Sequence, residues 1–592
     1  MMGKAQRAVV FSVVIVAVLA VLLGRLFFLQ VVQGYNYQEA SEENRTRLAT
    51  SPALRGMIYD RTGAVLAKDT ATYSVKLTPE HFDPDTLPLL TQITGMPVDE
   101  IQAKLEENNL PAWEPFTLRT GLGEEVVQKV EEQRLDLPGI SISIEPQRSY
   151  PYDNLFAHLI GYTGSISALE LSRMESAGYT GADVIGKTGL EKAYEDWLKG
   201  EKGKQILEVN AIGQPVRVLN EIEQIPGADM TLSIDLKLQQ QARQILVDNQ
   251  MNGSIICMDP QTGAILAMVS TPDFNPNDFI KGISQKEYET MTASNALIPK
   301  ATQDRFPPGS TFKVVTTAAA LEEGIIDPET YTVFCPGYID VGGHRFYCWQ
   351  TSGHGTQNLV DAIANSCNIF FYTLSLEIGP ERIAKWAQLL GLNQYTGVDL
   401  PDEAKGVIPT PAWKWEQLEE PWYPGDTMNM GIGHGDVAVT PLALATAFAA
   451  IANGGKLITP YLVQEIRSPD GTILKDTQTT VRVEVPFSQR TLDYLRQGMV
   501  KATTLGTTQQ VKPPGISVAA KTGTALITSE KQDIWICAYA PVENPQILVL
   551  VMNEYSTLIY GSYLAPFAGQ LINTYLSVTP TATATPTSTP AP

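Results

Sequence analysis

An uncharged run rich in Val and Leu, Ala8 to Gly24 with only Ser12 interrupting it, decides where everything after it must fold. Leu26, Phe27, Phe28, Leu29, Val31 and Val32 extend it past Arg25, so the segment reaches the roughly 20 apolar residues that a bilayer-spanning helix needs. Arg25 can then snorkel to the far surface. Lys4 and Arg7 lie ahead of the run, and a basic flank of this kind keeps the N-terminus in the cytoplasm. A cleaved signal peptide would carry a shorter apolar core of about 7 to 15 residues followed by a small-residue cleavage site, and neither is present. The expected layout is a cytoplasmic stub (1–7), a single-pass plasma-membrane anchor (8–32) and an extracytoplasmic remainder.

That remainder is too long for one core. At roughly 100 to 200 residues per domain, 592 residues give about three units. The net charge of −21 and the lack of any basic stripe exclude nucleic acid as a partner, because phosphate contact needs clustered Lys and Arg. Between Asn44 and about Gln224, turn signals alternate with short extended runs. Arg55 to Ala67 reads as a hairpin turning at Asp60–Gly63, while Val98–Asn108 and Glu124–Leu135 carry apolar residues at helical spacing. His158 is assigned to packing, since nothing near it completes a triad. Gly181 to Thr188 fits the letters of a phosphate-binding loop, but Leu171–Thr180 is too polar for the buried strand such a loop follows, and Asp183 would set a carboxylate among the phosphates. It reads instead as a loop into an amphipathic helix, Leu190–Leu198, that buries Leu190, Ala193, Tyr194, Trp197 and Leu198. Composition shifts at Pro226–Asp229. Met230–Ile234 then reads as a strand, Asp235 caps a helix to about Asn249, and Gly253–Met258 with Ala264–Ser270 form strand, turn and strand. Residues 226–578 therefore read as an α/β (α+β) domain of strands packed by helices, preceded by a mixed domain (33–225), and the Thr/Pro/Ser/Ala tail of residues 579–592 reads as disordered.

Inside the second domain stands Pro307-Pro308-Gly309-Ser310-Thr311-Phe312-Lys313. Proline and glycine stop the preceding chain, and Val314, Val315, Ala318 to Ala320 and Leu321 continue as a buried helix. Ser310 and Lys313 then share one helix face, with Ser310 near free backbone N–H groups and a favourable dipole. A Ser-x-x-Lys pair alone is a weak signal. Here Ser366-Cys367-Asn368 and Lys521-Thr522-Gly523-Thr524 follow in order, and the three elements together match the Ser-x-x-Lys, Ser-Asp-Asn and Lys-Thr-Gly signature of penicillin-binding proteins and class A β-lactamases, with Cys367 where the second element has Asp so that Ser-x-Asn is the shared part.

On these motifs the chain resembles a class B penicillin-binding protein, a bitopic peptidoglycan D,D-transpeptidase, and leans to the elongation type, similar to penicillin-binding protein 2. Arg55-Gly56 to Ala67, Arg148-x-Tyr150-Pro151 and Gly186-x-x-Gly189-Leu190-Glu191 are similar to that family's pedestal. Asp259-Pro260-x-Thr262-Gly263 and Gly425 to Gly435 are similar to its catalytic domain, with His434 where Gln is expected. The resemblance implies an elongated pedestal, used in dimerisation, ahead of a transpeptidase domain with a central antiparallel sheet flanked by helices. It implies that Ser310 attacks the carbonyl of a D-Ala-D-Ala stem peptide, that Lys313 is its base once its amine is neutral, that Ser366 relays the proton, and that Asn368 holds the peptide and Lys313. Lys521, Thr522 and Thr524 would hold the terminal carboxylate, Gly523 would allow close approach, and the N–H groups of Ser310 and Thr524 would form the oxyanion hole. β-Lactams would acylate Ser310, and a membrane glycosyltransferase of the cell-wall machinery would be the partner in peptidoglycan synthesis and cell shape. The chemistry requires no cofactor. A β-lactam sensor or β-lactamase-like acylase, and an inactive morphogenesis scaffold, stand as alternatives.

Cys335, Cys348, His354 and Cys367 make up the donor set of a closed structural zinc site, although their spacing lacks Cys-x-x-Cys. If the stretch around Cys367 runs extended, its sulfur points away from substrate and a metal would buttress the second motif from behind. A Cys335–Cys348 disulfide and free buried thiols remain open, with His344 as a substitute ligand. Cys257 and Cys537 read as strand core.

Overall fold

The computed structural model describes residues 3–33, 46–107, 112–174, 178–181, 183–209, 215–528, 530–558 and 560–578. The Thr/Pro tail, Ala182 of the phosphate-loop lookalike and Asn108 of one expected helix lie outside these residues. The chain divides into two compact units: Met1–Leu54 with Tyr73–Pro146 and Gly200–Gly227, and Arg55–Thr72 with Gln147–Lys199 and Ala228–Pro592.

In the first unit the apolar run is a helix, Lys4–Phe27, prolonged by a π turn through Phe28–Val32. None of its apolar stretch from Val9 to Val32 is buried by protein, which leaves lipid as the medium that can cover it. A core of Val75, Leu77, Leu90, Ile93, Ile101, Phe116, Leu118 and Ile140 joins the strand Phe116–Leu122 to the helices Leu87–Thr94, Val98–Glu107 and Glu124–Glu132. The last helix ends short of the expected Leu135, which is 98% exposed, and Leu137 takes the core position instead. A three-stranded antiparallel sheet, Thr46–Ser51, Gly203–Val209 and Pro215–Ile222, completes this unit.

The second unit is built on a five-stranded antiparallel sheet in the order Ile265–Thr271, Gly253–Met258, Ile547–Ser556, Gln532–Ala540, Ala519–Leu526. Alternate residues face opposite cores, and both faces are covered, so the strands are apolar almost throughout. Ile255, Cys257, Ile534, Ile536, Val549 and Val551 meet the helices Leu236–Asp248 and Ala565–Val578 on one side. Ile256, Met258, Trp535, Cys537, Leu548 and Leu550 meet Lys313–Glu322 and the wholly buried Pro441–Ala452 on the other. Asp235 caps its helix as expected, accepting from Leu238 N at 3.0 Å. The expected hairpin also forms, with Ile58 opposite Ala67 and Tyr59 opposite Val65, and the Asp60 carboxylate accepts from the Thr62 and Ala64 amides at 2.8 Å.

One expected helix forms differently. Leu190–Leu198 is two short helices, Gly189–Ala193 and Glu195–Leu198, and Ala193 and Trp197 are exposed. The buried positions go to Glu191 and Glu195 as well as Leu190, Tyr194 and Leu198. Arg55 Nε binds Glu191 Oε2 at 2.5 Å and Arg55 Nη2 binds Glu195 Oε2 at 2.6 Å, while Arg148 Nε binds Glu191 Oε1 at 2.7 Å and its Nη1 reaches Asp69 at 3.2 Å. Glu195 also accepts from Gly186 N, and Asp69 from Arg55 N. An amphipathic pattern scores these glutamates as solvent-facing, whereas cations from two distant segments draw them inward. His158 packs as expected, its Nε2 against Ala296 O at 2.8 Å and its ring edge-on to Phe274.

Candidate active site

The edge strand Ala519–Leu526 and the turn Pro307–Lys313 are pressed together backbone to backbone. Gly309–Phe312 is a 3-10 turn that runs into the helix Lys313–Glu322. Gly309 has φ +54°, and a Cβ there would stand 2.6 Å from Thr524 O and 2.8 Å from Thr524 N. A Cβ on Gly523 would stand 2.5 Å from Pro308 O and 3.0 Å from Thr311 Cγ2. Both positions exclude any side chain. The close approach at Gly523, expected from a ligand, is thus made by the turn itself. The turn is pinned further by Trp535 Nε1 to Pro307 O at 3.0 Å, Gly309 N to Gly433 O at 3.0 Å, and paired bonds between Phe306 and Val439. Ser310 is left half-exposed at the head of a helix whose next side chain on that face, Lys313, is fully buried.

The turn through Ser366 and Asn368 binds that amine, and the edge strand joins it at the same hydroxyl. Lys313 Nζ donates to Ser366 O at 2.8 Å, Ser366 Oγ at 3.2 Å and Asn368 Oδ1 at 2.8 Å. Lys521 Nζ donates to the same Ser366 Oγ at 2.9 Å and to Thr522 O at 3.0 Å. Both lysines are completely buried, and among the described residues neither is paired with a carboxylate. Burial pushes Lys313 down to about 8, with Cys348 and Cys367 opposing, and burial followed by the charge of Lys313 holds Lys521 well below its ordinary value. A hydroxyl set between two amines that cost this much to charge is a proton relay in form. Ser366 is held there in the left-handed region, φ +54°, which a serine adopts only when its surroundings enforce it. The stretch is therefore a turn into the helix Asn368–Ile378, with Cys367 at its N-cap, and not the extended segment expected.

The remaining expected residues lie along the edge strand. Thr522 is buried, its Oγ1 3.2 Å from Thr507 Oγ1, and Thr524 Oγ1 accepts from Gly561 N at 3.1 Å. Thr507 and Gly561 carried no signal in the sequence; each is drawn in by a loop that closes on the strand. His434 sets Nδ1 3.1 Å from Ile432 O, and burial, with Lys313 nearby, keeps its imidazole below the ordinary range against that hydrogen bond.

Directly behind Ser366, the ligand atoms of Cys335, Cys348, His354 and Cys367 all lie within 4.8 Å of one another, and the three sulfurs are buried. His354 Nδ1 is 3.5 Å from Cys348 Sγ and 3.7 Å from Cys335 Sγ. Zinc bonds of roughly 2.3 Å to sulfur and 2.1 Å to nitrogen, at the tetrahedral angle, place those atoms about 3.6 Å apart. The donor set and its spacing therefore fit a tetrahedral zinc ion. No disulfide joins any of the five cysteines, and Cys257 and Cys537 are buried in strands as expected. His344 is exposed on the strand His344–Tyr347, outside the cluster.

Comparison with known proteins matches residues 253–573 to the penicillin-binding protein transpeptidase domain and residues 50–232 to the penicillin-binding protein dimerisation domain. The peptidoglycan D,D-transpeptidase MrdA of Acinetobacter baumannii is 34% identical over 567 residues, covering 91% of this chain and 83% of that protein. Penicillin-binding protein 2 of Helicobacter pylori, solved in complex with MreC, superposes with a TM-score of 0.79 at 28% identity, covering 90% of this chain and 99% of that one. A chain from a structure titled as the coordination of polymerization and crosslinking by a peptidoglycan synthase complex gives a TM-score of 0.71 at 30% identity, covering 98% of this chain and all of that one.

Proposed function

This chain belongs to the penicillin-binding protein transpeptidase family, and on that premise we propose that it is a membrane-anchored serine D,D-transpeptidase that cross-links peptidoglycan stem peptides and is acylated by β-lactams. The observation that carries the reading is the buried chain Lys313–Ser366–Lys521, set beside a half-exposed serine one turn before Lys313.

Each residue has a role that its position supports. The terminal carboxylate of a D-Ala-D-Ala peptide lies against Lys521, Thr522 and Thr524. The backbone of Gly523 is closed to it by the Pro308–Thr311 turn, so the ligand runs along the strand's open edge. Neutral Lys313 takes the proton from Ser310 Oγ as it bonds to the penultimate carbonyl carbon, and the N–H groups of Ser310 and Thr524 receive the oxyanion. Donors of this kind contribute roughly 3 to 4 kcal/mol each to the transition state. Collapse breaks the peptide bond, and Ser366 passes a proton from the lysines to the departing D-Ala nitrogen. The amine of a second stem peptide then attacks the acyl-enzyme, gives up its proton by the reverse route and restores Ser310. Asn368, already bound to Lys313 and to Tyr347 O, presents its amide to the donor peptide. A β-lactam enters by the first half of this path and stays.

The basic residues before the anchor and Arg25 at its far end support a plasma-membrane location with the N-terminus in the cytoplasm. Likeness to chains solved with MreC and within a peptidoglycan synthase complex supports a place in the wall-elongation machinery, beside a membrane glycosyltransferase. We propose further that Cys335, Cys348, His354 and Cys367 hold a structural zinc, which takes no part in the chemistry but fixes the turn that carries Ser366 and Asn368.

Labelling with a fluorescent penicillin tests the activity. Wild type is expected to retain the label on the Ser310 peptide through denaturing electrophoresis, and Ser310→Ala to take up none; rapid loss of the wild-type label would turn the reading to a β-lactamase. Metal analysis should return about one zinc per chain, and a Cys335–Cys348 disulfide without zinc would end that part of the proposal.

A further inference from the structure

Two large aromatic side chains stand half-exposed beside the groove, and the transpeptidase reading assigns neither a role. Trp349 follows Cys348 in the cysteine–histidine cluster. Its indole is 5.3 Å from the His354 ring, and its Nε1 donates to Asn365 O at 3.0 Å, one residue before Ser366. Tyr560 precedes Gly561, whose amide binds Thr524 Oγ1 and whose missing Cβ would stand 2.4 Å from Gly523 O and 3.2 Å from Thr522 Cβ. Each ring is thus tied to one wall: Trp349 to the Ser366 side, Tyr560 to the Thr522–Thr524 side. The two rings meet edge to face with centroids 6.3 Å apart, and each residue keeps 44% of its surface exposed. Edge-to-face pairs of this kind hold rigid geometry, and Trp349 has its N–H committed as well.

We propose that Trp349 and Tyr560 form an aromatic wall that bounds the leaving residue of the donor peptide and sets the preference for a small side chain there. The inference rests on the transpeptidase reading: the leaving residue is the one whose carboxylate meets Thr522 and Thr524 and whose nitrogen receives its proton from Ser366, and the neighbours of those groups carry the two rings. A methyl group fits beside such a wall, whereas a branched side chain must displace one ring or the other. An apolar pocket discriminates by roughly 10- to 200-fold per methylene. Both residues are specificity-determining, and neither touches the reacting atoms.

The test compares stem pentapeptides ending in D-Ala-D-Ala and in D-Ala-D-Leu, each with a free carboxylate, by the kcat/KM for release of the terminal residue from the full-length protein. Trp349→Ala and Tyr560→Ala are each expected to raise the D-Leu to D-Ala ratio at least tenfold, and Trp349→Phe less. A purely structural contribution would lower both rates and leave the ratio still. A ratio that moves less than threefold in both Ala variants, with Ser310 still labelled by penicillin, overturns the proposal. Tyr560 lies outside the cysteine cluster, so its variant tests the wall even if Trp349→Ala disturbs that cluster. Failure of the underlying reading would appear separately, as absence of penicillin labelling in the wild type.

Discussion

Two clusters of charge are buried in the same unit and are built on opposite terms. Around Glu191, two guanidiniums and three carboxylates neutralise one another, with Arg148 Nη2 alone left without a partner among the described residues, and Arg148 and Arg55 hold the Glu191 carboxyl below its usual range although burial pushes it up. Around Ser366, two amines share one hydroxyl, and among the described residues no carboxylate pairs with either. The first arrangement is stable while complete and costly when any partner is lost. The second is costly as it stands, and that cost keeps an amine near neutrality, ready to take a proton. Paired charge here fixes structure, and unpaired charge is kept for reaction.

The difference can be broken first at the reactive cluster. Lys313→Met should lower the rate of acylation by penicillin at least about a thousandfold while leaving the thermal midpoint equal or higher, because it removes a buried amine that nothing neutralises. A fall in both would mean that the amine is structural. Glu191→Ala should do the reverse and cost roughly 3 to 5 kcal/mol in denaturant unfolding, since Arg55 and Arg148 are left without their shared partner. The fraction that remains folded should acylate at the normal rate.

pH separates the clusters without mutation. With Lys313 lowered from 10.5 to about 8, acylation should rise about tenfold per unit up to pH 8 and level off above it. The unfolded chain binds the extra proton between those two values, so this lysine's contribution to stability, about 3 kcal/mol unfavourable at neutral pH, is relieved as pH rises from 8 to 10.5. Glu191 runs the other way. Its folded value lies below 4.5, so its contribution is present above that pH and is lost as pH falls through the folded value. Rate measurements from pH 6 to 9 and unfolding from pH 3 to 10 check both. The smallest effect expected is from Asp69→Asn, about 1 to 2 kcal/mol in unfolding, because Asp69 supports Arg148 and the Arg55 amide from the rim of its cluster.

What could be read in advance divides along similar lines. The apolar anchor, the Asp60 turn, the Asp235 cap and the order of the three motifs are local patterns, and local patterns survive folding. The reactive residues were legible because each motif writes its chemistry within four positions. Ser366 was legible as a hydroxyl but not in its left-handed backbone, which the turn into Asn368–Ile378 imposes. Cys335, Cys348, His354 and Cys367 could be grouped by donor type, but their mutual spacing had to come from the fold. The Glu191 cluster was written in letters from four places, Arg55, Asp69, Arg148 and Glu191 with Glu195, and no window of sequence holds them together. Helical periodicity placed Trp197 inside for the same reason: it assumes that glutamate seeks water, and here arginine has replaced the water.

Gly309 lies against the backbone of Thr524 and Gly523 against Pro308 O, so the nucleophile's turn and the edge strand meet with no side chain between them. A side chain at either glycine would wedge the nucleophile's turn away from the edge strand, so the placing of Ser310 beside the Thr524 amide depends on both positions staying bare. The opposite wall is closed in the same way: a Cβ on Gly506 would stand 2.3 Å from Ala364 O, two residues before Ser366, and the turn itself is held by the lysines in front and the cysteine cluster behind. Both walls of the groove thus rest on positions where a single methyl group cannot be accommodated.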